Sequence, residues 1–357
     1  MKKIISHFFL LYIKFWAKIA LLFTKAKIIG IAGSIGKTSV KMAVKVIFES
    51  FGKVAVTEGN SETGVPLGIL GIKQESYSFI SWIITAVKCP FKIFYLKKVD
   101  YLVIEMGTDD IVWPKNMEYL LSIVNPKYVI WLNTSPAHTQ QFGANIQELD
   151  YEKNLHLSRL SLANEDGKII TNNDYELAIV NSDDLYIKNV LTGISHKNIY
   201  FYGLDKSNSS FLVDYVIEFP NTKFVFSVMG EQYNLEIKNH LLAKEYWQNF
   251  ASVLLLVKNL KLNIPDAITA LEDRWLLPKG RGGLLRAINN SWIIDGSYNA
   301  SPDAFEAQLD LFKDVAEKNS LKPVVVAGDM RELGDVIAPR AHQVLAENIF
   351  KTKATVY

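Results

Sequence analysis

The chain has 357 residues, 49% of them hydrophobic, which is enough for two or three packed domains. Its net charge of +2 excludes the strongly basic surface of a typical nucleic-acid-binding chain, so we expect no nucleic-acid partner. A single cysteine, Cys89, excludes an intramolecular disulfide framework and fits the reducing cytoplasm.

The first predicted element is an amphipathic helix within residues 1–26. The first 48 residues contain nine lysines and no acidic residue, and Lys3, His7, Lys14 and Lys18 fall on one narrow stripe of a helix. Such a helix either lies on an anionic membrane surface or buries its wide apolar face on the following domain, and both alternatives stay open. Lysines inside the apolar run disfavour a membrane-spanning helix, and no small-residue cleavage site indicates a signal peptide.

Strands and helices then alternate along the chain. The segments "AKIIGIAG", "KVAVTEG", "DYLVIEMG" and "PKYVIWLNT" read as buried strands of a parallel sheet. "GKTSVKMAVKVIFESFG" has helical spacing, and "SYSFISWIITAVKCPFKIFYLKK" is predicted to be helical up to Pro90. This alternation predicts an α/β fold with a doubly wound, mostly parallel sheet of the phosphate-loop type.

The pattern of polar and apolar residues changes in the second half of the chain. Residues 189–238 alternate in polarity and predict a small antiparallel β addition, and two helices follow over 243–260 and 264–275. "LPKGRGG" is the best linker candidate, so we expect a central domain over 27–278 and a C-terminal domain over 279–357. That last segment is shorter than the about 100 to 150 residues of a common domain, and we expect a truncated Rossmann-like unit.

The segment "GIAGSIGKTS" has the features of a phosphate-binding loop. A strand precedes it and a helix follows, so backbone N–H groups and the helix N-terminus would form an anion site. Lys37 would neutralise the outer phosphates, and the hydroxyl of Thr38 would reach Mg²⁺. The common pattern has a glycine at position 31, where this chain has isoleucine. The alternative is a glycine turn with a solvated lysine.

The motif G-x-x-G-K-[ST]-[ST], which is tighter than the common loop, resembles the Mur ligase family of ATP-dependent amide-forming enzymes. Further motifs follow in that family's order: "EGNSETGVPLGIL", "VIEMG", "NTSPAHTQQFG", "EDGKIITNND", "KGRGG", "IIDGSYNASPDAF" and "VAGDMRELG". They resemble most the family members that join D-Ala-D-Ala to a UDP-muramoyl tripeptide. The resemblance implies ATP and Mg²⁺ as cofactors, and these two compounds as substrates.

The resemblance also implies roles for individual residues. Those expected at ATP are Gly33, Ser34, Ile35, Gly36, Lys37, Thr38, Ser39, Asn249, Arg281, Asp295, Tyr298 and Asn299. Those expected at Mg²⁺ are Thr38, Glu105, His138 and Lys153, the last as a carbamylated lysine. Those expected at the substrate are Asn60, Glu62 and Thr63. The catalytic set would be Lys37, Lys153 and Arg281. Each of these also has a plainer interpretation, as a strand-end, turn or solvated helix residue.

The implied reaction makes an acyl phosphate from ATP and a carboxylate, and an amine then displaces the phosphate. Two features depart from the family: it usually has an additional N-terminal domain for the uridine nucleotide, and its C-terminal domain is longer. The alternative hypotheses are therefore a membrane-attached phosphate-loop ATPase or nucleotide sensor without ligase activity, and a related ligase with another substrate. Folylpolyglutamate synthase is a further rival with the same chemistry. We expect a monomer, with peripheral membrane contact through residues 1–24 as an open alternative.

Overall fold

The computed structural model describes residues 2–357 except 75, 77, 137–138, 144–145, 147, 196 and 299–300. One nine-stranded sheet organises most of the chain, in the order β2-β3-β1-β4-β5-β6-β7-β8-β9. Its strands are β1 Lys27–Ala32, β2 Val54–Val56, β3 Tyr101–Glu105, β4 Tyr128–Trp131, β5 Leu177–Asn181, β6 Ile199–Tyr202, β7 Ser210–Glu218, β8 Asn221–Val228 and β9 Glu231–Ile237.

The sheet is parallel from β2 to β7 and antiparallel from β7 to β9. The predicted doubly wound sheet with an antiparallel addition is confirmed. The addition begins one strand later than expected, because β6 ("IYFY") pairs in parallel with β5 and belongs to the parallel part. The order places β1 between β3 and β4, so β1 lies at the point where the connections change sides, which is where such sheets bind ligands.

Helices cover both faces of this sheet. They are α1 Lys2–Leu22, α2 Lys37–Phe48, α3 Gly64–Ile69, α4 Phe79–Lys88, α5 Met117–Leu121, α6 Thr139–Phe142, α7 Tyr151–Thr171, α8 Leu185–Leu191, α9 Tyr246–Asn259 and α10 Ile264–Arg274. Helices α2, α9 and α10 share one buried core with the sheet, and α1, α3, α5, α7 and α8 share the other. As predicted, α4 ends before Pro90, and short 3-10 helices follow over Cys89–Lys92 and Tyr95–Lys98.

Helix α1 packs on the domain that follows it. Its residues Leu10, Ile13, Ala17 and Ala20 are buried among side chains from α3, α5 and the 3-10 helices. The Lys14 ammonium lies 2.6 Å from Ser122 Oγ and covers the ring of Tyr119, so part of the polar stripe faces protein. Among the described helices, none has the length and apolarity needed to cross a membrane.

The chain after α10 forms smaller units. Strands β10 Gly283–Arg286 and β11 Trp292–Asp295 pair antiparallel, with a 3-10 turn at Ile288–Asn290 between them. Helix α11 (Pro302–Lys318), strand β12 (Val324–Val325), helix α12 (Gly334–Lys351) and strand β13 (Thr355–Val356) follow, and β12 pairs in parallel with β13. Helix α12 packs on α6 and α7, and the N–H of Gln140 donates to the carbonyl of Glu332 within the "GDMRELG" segment.

Candidate ATP site

The loop between β1 and α2 turns on two glycines with positive φ. Gly33 has φ +124° and Gly36 has φ +90°, which is backbone that L side chains rarely adopt. A Cβ on Gly36 would also lie 2.5 Å from Oδ1 of Asn249. Position 31 needs no glycine, because Ile31 is still within β1, pairs with Glu105 and Ile130, and is fully buried. The turn therefore starts at Gly33, two residues later than the glycine of the common loop.

Asn133, just after β4, fastens this loop to the sheet. Its Nδ2 donates to the carbonyl of Ile35 at 3.0 Å, and its Oδ1 accepts from the N–H of Ile35 at 2.9 Å. Its own carbonyl accepts from the N–H of Ser34 at 2.9 Å. Three hydrogen bonds from one residue fix the loop conformation before any ligand arrives. Asn133 begins the motif "NTSPAHTQQFG", but the sequence did not predict a role for it.

Lys37 is the first residue of α2 and lies over the loop. Its Nζ is 2.5 Å from the carbonyl of Gly33 and 3.1 Å from that of Ser34. The side chain thus stays beside the loop, at the positive N-terminal end of a 12-residue helix. An ammonium group and helix N–H groups at the same place form a site for phosphate.

Glu105 ends β3 beside this loop and is almost completely buried. Its carboxylate accepts from the hydroxyl of Thr38 at 3.2 Å and from Nδ2 of Asn60 at 3.2 Å. Burial pushes the pKa of Glu105 up, but the charges of Lys41 and Lys37 and the hydrogen bonds outweigh it, so the pKa lies below its ordinary value. Glu105 is therefore an anion at neutral pH.

Lys41 is the partner that sequence reasoning missed. Its ammonium lies 2.9 Å from Oε2 of Glu105 and 3.1 Å from the carbonyl of Thr57, and the side chain is buried. Lys41 stands one helical turn after Lys37, on the same side of α2. The i,i+4 spacing is visible in the sequence, but the partner of Lys41, Glu105, is 64 residues away and is not.

The residues present fit the Mg²⁺ that the resemblance implies. A threonine hydroxyl and an ionised carboxylate meet at the phosphate loop, and oxygen ligands of this kind are what Mg²⁺ prefers. Among the described residues, no cluster of three His, Cys, Asp or Glu side chains with metal-binding geometry is present. His138, the residue expected at a second ion, lies outside the described residues.

A cavity of about 800 Å³ lies over the loop, and both halves of the chain line it. The predicted residues that the structure brings to it are Ser34, Ile35, Gly36, Lys37, Thr38, Ser39, Asn60, Glu105, Asn249, Arg281 and Tyr298. The guanidinium of Arg281 lies 4.7 Å from the centre of the Tyr298 ring, and Tyr246 Oη donates to the Arg281 carbonyl at 2.8 Å. Arg281 and the phosphate loop thus line the same cavity.

Other predicted residues lie outside this lining. The carbonyl of Asp295 accepts from the N–H of Gly282 at 2.7 Å, which holds the start of β10. Thr63 precedes α3, with its hydroxyl 3.4 Å from that of Ser61, and Glu62 stands beside it. Asn299 is outside the described residues.

Lys153 is not brought to the loop. It lies near the start of α7 with a side chain 71% exposed, and its ammonium is 3.9 Å from Glu148. The "EDG" segment, residues 165–167, is helical and buried inside α7. Gly167 explains this, because a Cβ there would lie 2.7 Å from Val190 and 2.9 Å from Trp131, so a small residue lets the helix pack closely.

The helix that carries this segment also carries a buried acid. Oδ1 of Asp166 accepts from the hydroxyl of Thr108 at 2.6 Å. Burial raises the pKa of Asp166 to about 6, although the charge of Lys37 and the Thr108 hydrogen bond act in the opposite direction. Asp166 is thus a buried acid that interacts electrostatically with Lys37 of the loop.

An Asn-x-Asp-Asp sequence lies at the cavity. It runs from Asn181 to Asp184, at the carboxyl end of β5. Asp184 begins α8 and accepts from the N–H of Thr134 at 2.7 Å. Arg159 of α7 also lines the cavity, with its guanidinium 4.6 Å from the Tyr186 ring. Sequence reasoning missed these residues, although their place after a buried strand was the signal.

The family model described as the Mur ligase middle domain matches residues 31–257 of this chain. The UDP-N-acetylmuramoyl-tripeptide–D-alanyl-D-alanine ligase of Rickettsia prowazekii is 27% identical over 93% of this chain and 65% of its own length. The ligase of the same name from Haemophilus influenzae is 24% identical over 86% of this chain and 58% of its own length. The chain thus spans less than two thirds of these relatives.

The solved structures agree on the fold. A MurF ligase from Thermotoga maritima, determined in complex with ADP, superposes with a TM-score of 0.71 at 22% identity. The superposition covers 95% of this chain and 68% of that one. The phosphate-loop sheet described above is therefore the fold of that ligase.

Proposed function

Because this chain belongs to the Mur ligase family, with its middle domain over residues 31–257, we propose that it is an ATP-dependent amide ligase. The proposed reaction joins D-Ala-D-Ala to a UDP-muramoyl tripeptide, as the names of its relatives state for them. The observation that carries the proposal is a cavity shared by the phosphate loop, Glu105 and Arg281. A ligase needs such a cavity because it must activate a carboxylate with ATP and keep water from the product.

The first step of the proposed reaction activates the tripeptide. A carboxylate oxygen attacks the γ-phosphorus of ATP, the bond to the bridging oxygen breaks, and ADP leaves. Negative charge moves toward ADP in this step, so cations around the phosphates stabilise it. Lys37 on one side of the cavity and Arg281 on the other supply those cations. Mg²⁺ bound by Thr38 and Glu105 would supply further charge neutralisation.

The second step forms the amide. The amino nitrogen of D-Ala-D-Ala attacks the acyl carbon, the nitrogen loses its proton, and inorganic phosphate leaves. Asn60, Glu62 and Thr63 are proposed to position the peptide substrate, since Asn60 already bonds Glu105 at the cavity. Asn249 and Tyr298 border the cavity and are proposed contacts of the nucleotide, as are Asp295 and Asn299 of the following segment.

The linker before β10 is proposed as a hinge between the two halves of the cavity. Gly280 and Gly282 have φ +74° and +95°, conformations that let the chain turn sharply just beside Arg281. Closure there would move Arg281 over the γ-phosphate. We further propose that the chain acts as a monomer. The roles of Lys153 as a carbamate and of His138 as a ligand to a second ion stay predictions.

The test is ADP release from the intact chain with ATP and Mg²⁺, measured alone and with each substrate. The proposal predicts ADP release only when the UDP-muramoyl tripeptide is present, and a new amide product only when D-Ala-D-Ala is added as well. Steady hydrolysis that ignores both substrates would instead establish a phosphate-loop ATPase or sensor. Stimulation by a different carboxylate or amine would establish a related ligase with another substrate.

A further inference from the structure

An apolar surface outside the nucleotide cavity is formed by α1 together with α4 and the chain that follows it. Where the structure describes the side chains of these segments, fourteen large apolar ones are exposed. They are Phe8, Leu11, Tyr12, Phe15, Leu22, Phe23, Phe79, Ile80, Ile83, Ile84, Val87, Phe91, Phe94 and Tyr95. We call them the apolar face. A soluble monomer seldom exposes a patch of this extent without a function for it.

Direct contacts between its two segments make this one surface. Tyr12 Oη donates to the carbonyl of Ala86 at 3.0 Å, which joins the middle of α1 to α4. The exposed rings of Phe23 and Phe94 lie 4.8 Å apart, centre to centre, and join the far end of α1 to the chain after α4. Helix α1 buries its opposite side in the core, and α4 contacts that core through Trp82, so the exposed side chains are not needed for the core.

The charged side chains on the two segments that carry the apolar face have one sign. Exposed lysines on the same two segments are Lys18, Lys25, Lys88, Lys92, Lys97 and Lys98. Residues 2–48 and 76–99 contain no aspartate or glutamate. A surface that combines aromatic and aliphatic side chains with lysines is complementary to a lipid surface with anionic headgroups. The aromatic side chains would enter the lipid interface, and the ammonium groups would contact lipid phosphates.

We propose that the apolar face docks this protein on anionic membranes as a peripheral protein. A second copy of the chain fits less well, because an isologous contact would bring the two sets of lysines together and leave their charges unpaired. The proposal does not depend on the reaction proposed above.

The test is co-sedimentation of the intact chain with vesicles of equal parts phosphatidylglycerol and phosphatidylcholine, beside vesicles of phosphatidylcholine alone. We expect binding to the anionic vesicles that is at least about tenfold stronger than to the neutral ones, and that falls when NaCl is raised to about 1 M. The double variants Ile80→Ser/Phe91→Ser and Lys88→Glu/Lys92→Glu should each lower the partition coefficient about tenfold or more.

Matched controls change equally exposed residues elsewhere. Ile288→Ser/Phe350→Ser and Lys206→Glu/Lys238→Glu should leave vesicle binding unchanged, and circular dichroism should show all four variants folded. Absence of binding to anionic vesicles at low salt would overturn the proposal. So would binding that the control variants weaken equally, or a dimer in solution that Ile80→Ser/Phe91→Ser converts to monomer without any vesicle binding.

Discussion

The ammonium of Lys41 lies 2.9 Å from the carboxylate of Glu105, and both side chains are only 7% exposed. This pair ties α2, which begins at the phosphate loop, to the end of β3. Removal of one partner would leave the other as a buried, uncompensated charge, which is costly in a protein interior. The pair therefore sets the position of the carboxylate proposed to bind Mg²⁺.

We expect Lys41→Met to lower the free energy of unfolding by about 3 kcal/mol, because Glu105 would lose its ion partner. The double variant Lys41→Met/Glu105→Gln should regain most of that loss, since no unpaired charge remains. Urea denaturation at neutral pH measures both. Lys45→Met, on the same helix but half-exposed, is the control. A single variant as stable as the wild type would contradict the pairing.

Lys37→Ala should weaken ATP binding by about 10- to 100-fold, the loss of a charge-assisted contact worth roughly 1.5 to 3 kcal/mol. Isothermal titration calorimetry with ATP and Mg²⁺ measures this on the folded variant. The exposed Lys53→Ala serves as the control and should bind ATP normally. Equal affinity of the Lys37 variant and the wild type would remove Lys37 from the site.

Asn133→Ala should reduce ATP affinity about tenfold, although Asn133 is assigned no direct contact with the nucleotide. The variant loses the two side-chain hydrogen bonds to Ile35, so the loop must be ordered at the moment of binding. Calorimetry should show a more unfavourable binding entropy. Asn172→Ala, at the end of α7, is the control. A loss confined to protein stability, with ATP affinity intact, would speak against this role.

Arg281→Ala should lower the turnover of the substrate-stimulated reaction about 100-fold or more, with a smaller change in ATP affinity, because the arginine is proposed to act mainly in the phosphoryl-transfer step. Arg281→Lys should recover only part of the rate, since an ammonium group lacks the bidentate geometry of guanidinium. Steady-state kinetics and ATP titration measure the two effects. Equal losses in both would assign Arg281 to ground-state binding instead.

Stability should depend on pH through Asp166. The pKa of this buried carboxyl is raised from 3.8 to about 6, so the folded state binds its proton more tightly than the unfolded state. The stability it contributes is present below the unfolded pKa and is lost as pH rises through about 6. We expect Asp166→Asn to be more stable than the wild type by about 3 kcal/mol at pH 7 and similar at pH 3.5.

Denaturation of both proteins across that pH range measures the difference. The exposed Asp310→Asn is the control and should follow the wild type at every pH. A constant difference between Asp166→Asn and the wild type from pH 3.5 to 7 would show that Asp166 does not titrate in this window.

The phosphate loop could be predicted from the sequence because its glycines, Lys37 and Thr38 are contiguous. Glu105 could be placed as well, since the carboxyl end of a buried parallel strand lies at the ligand edge of the sheet. Lys41 and Asn133 could not be assigned, because each acts through a partner more than 60 residues away, and local spacing does not show which strands are neighbours.

Helix α1 shows most clearly which features the sequence determines and which depend on the tertiary structure. The sequence by itself determined that a helix with a wide apolar surface and lysines lies within residues 1–26, because helical periodicity is a local property. Only the tertiary structure decided which apolar residues meet the core and which stay exposed beside α4, because that depends on the helices packed around it. In the same way, the sequence determined a nucleotide loop of the Mur ligase type, and only the folded sheet decided that Lys41 and Asn133 lie beside it.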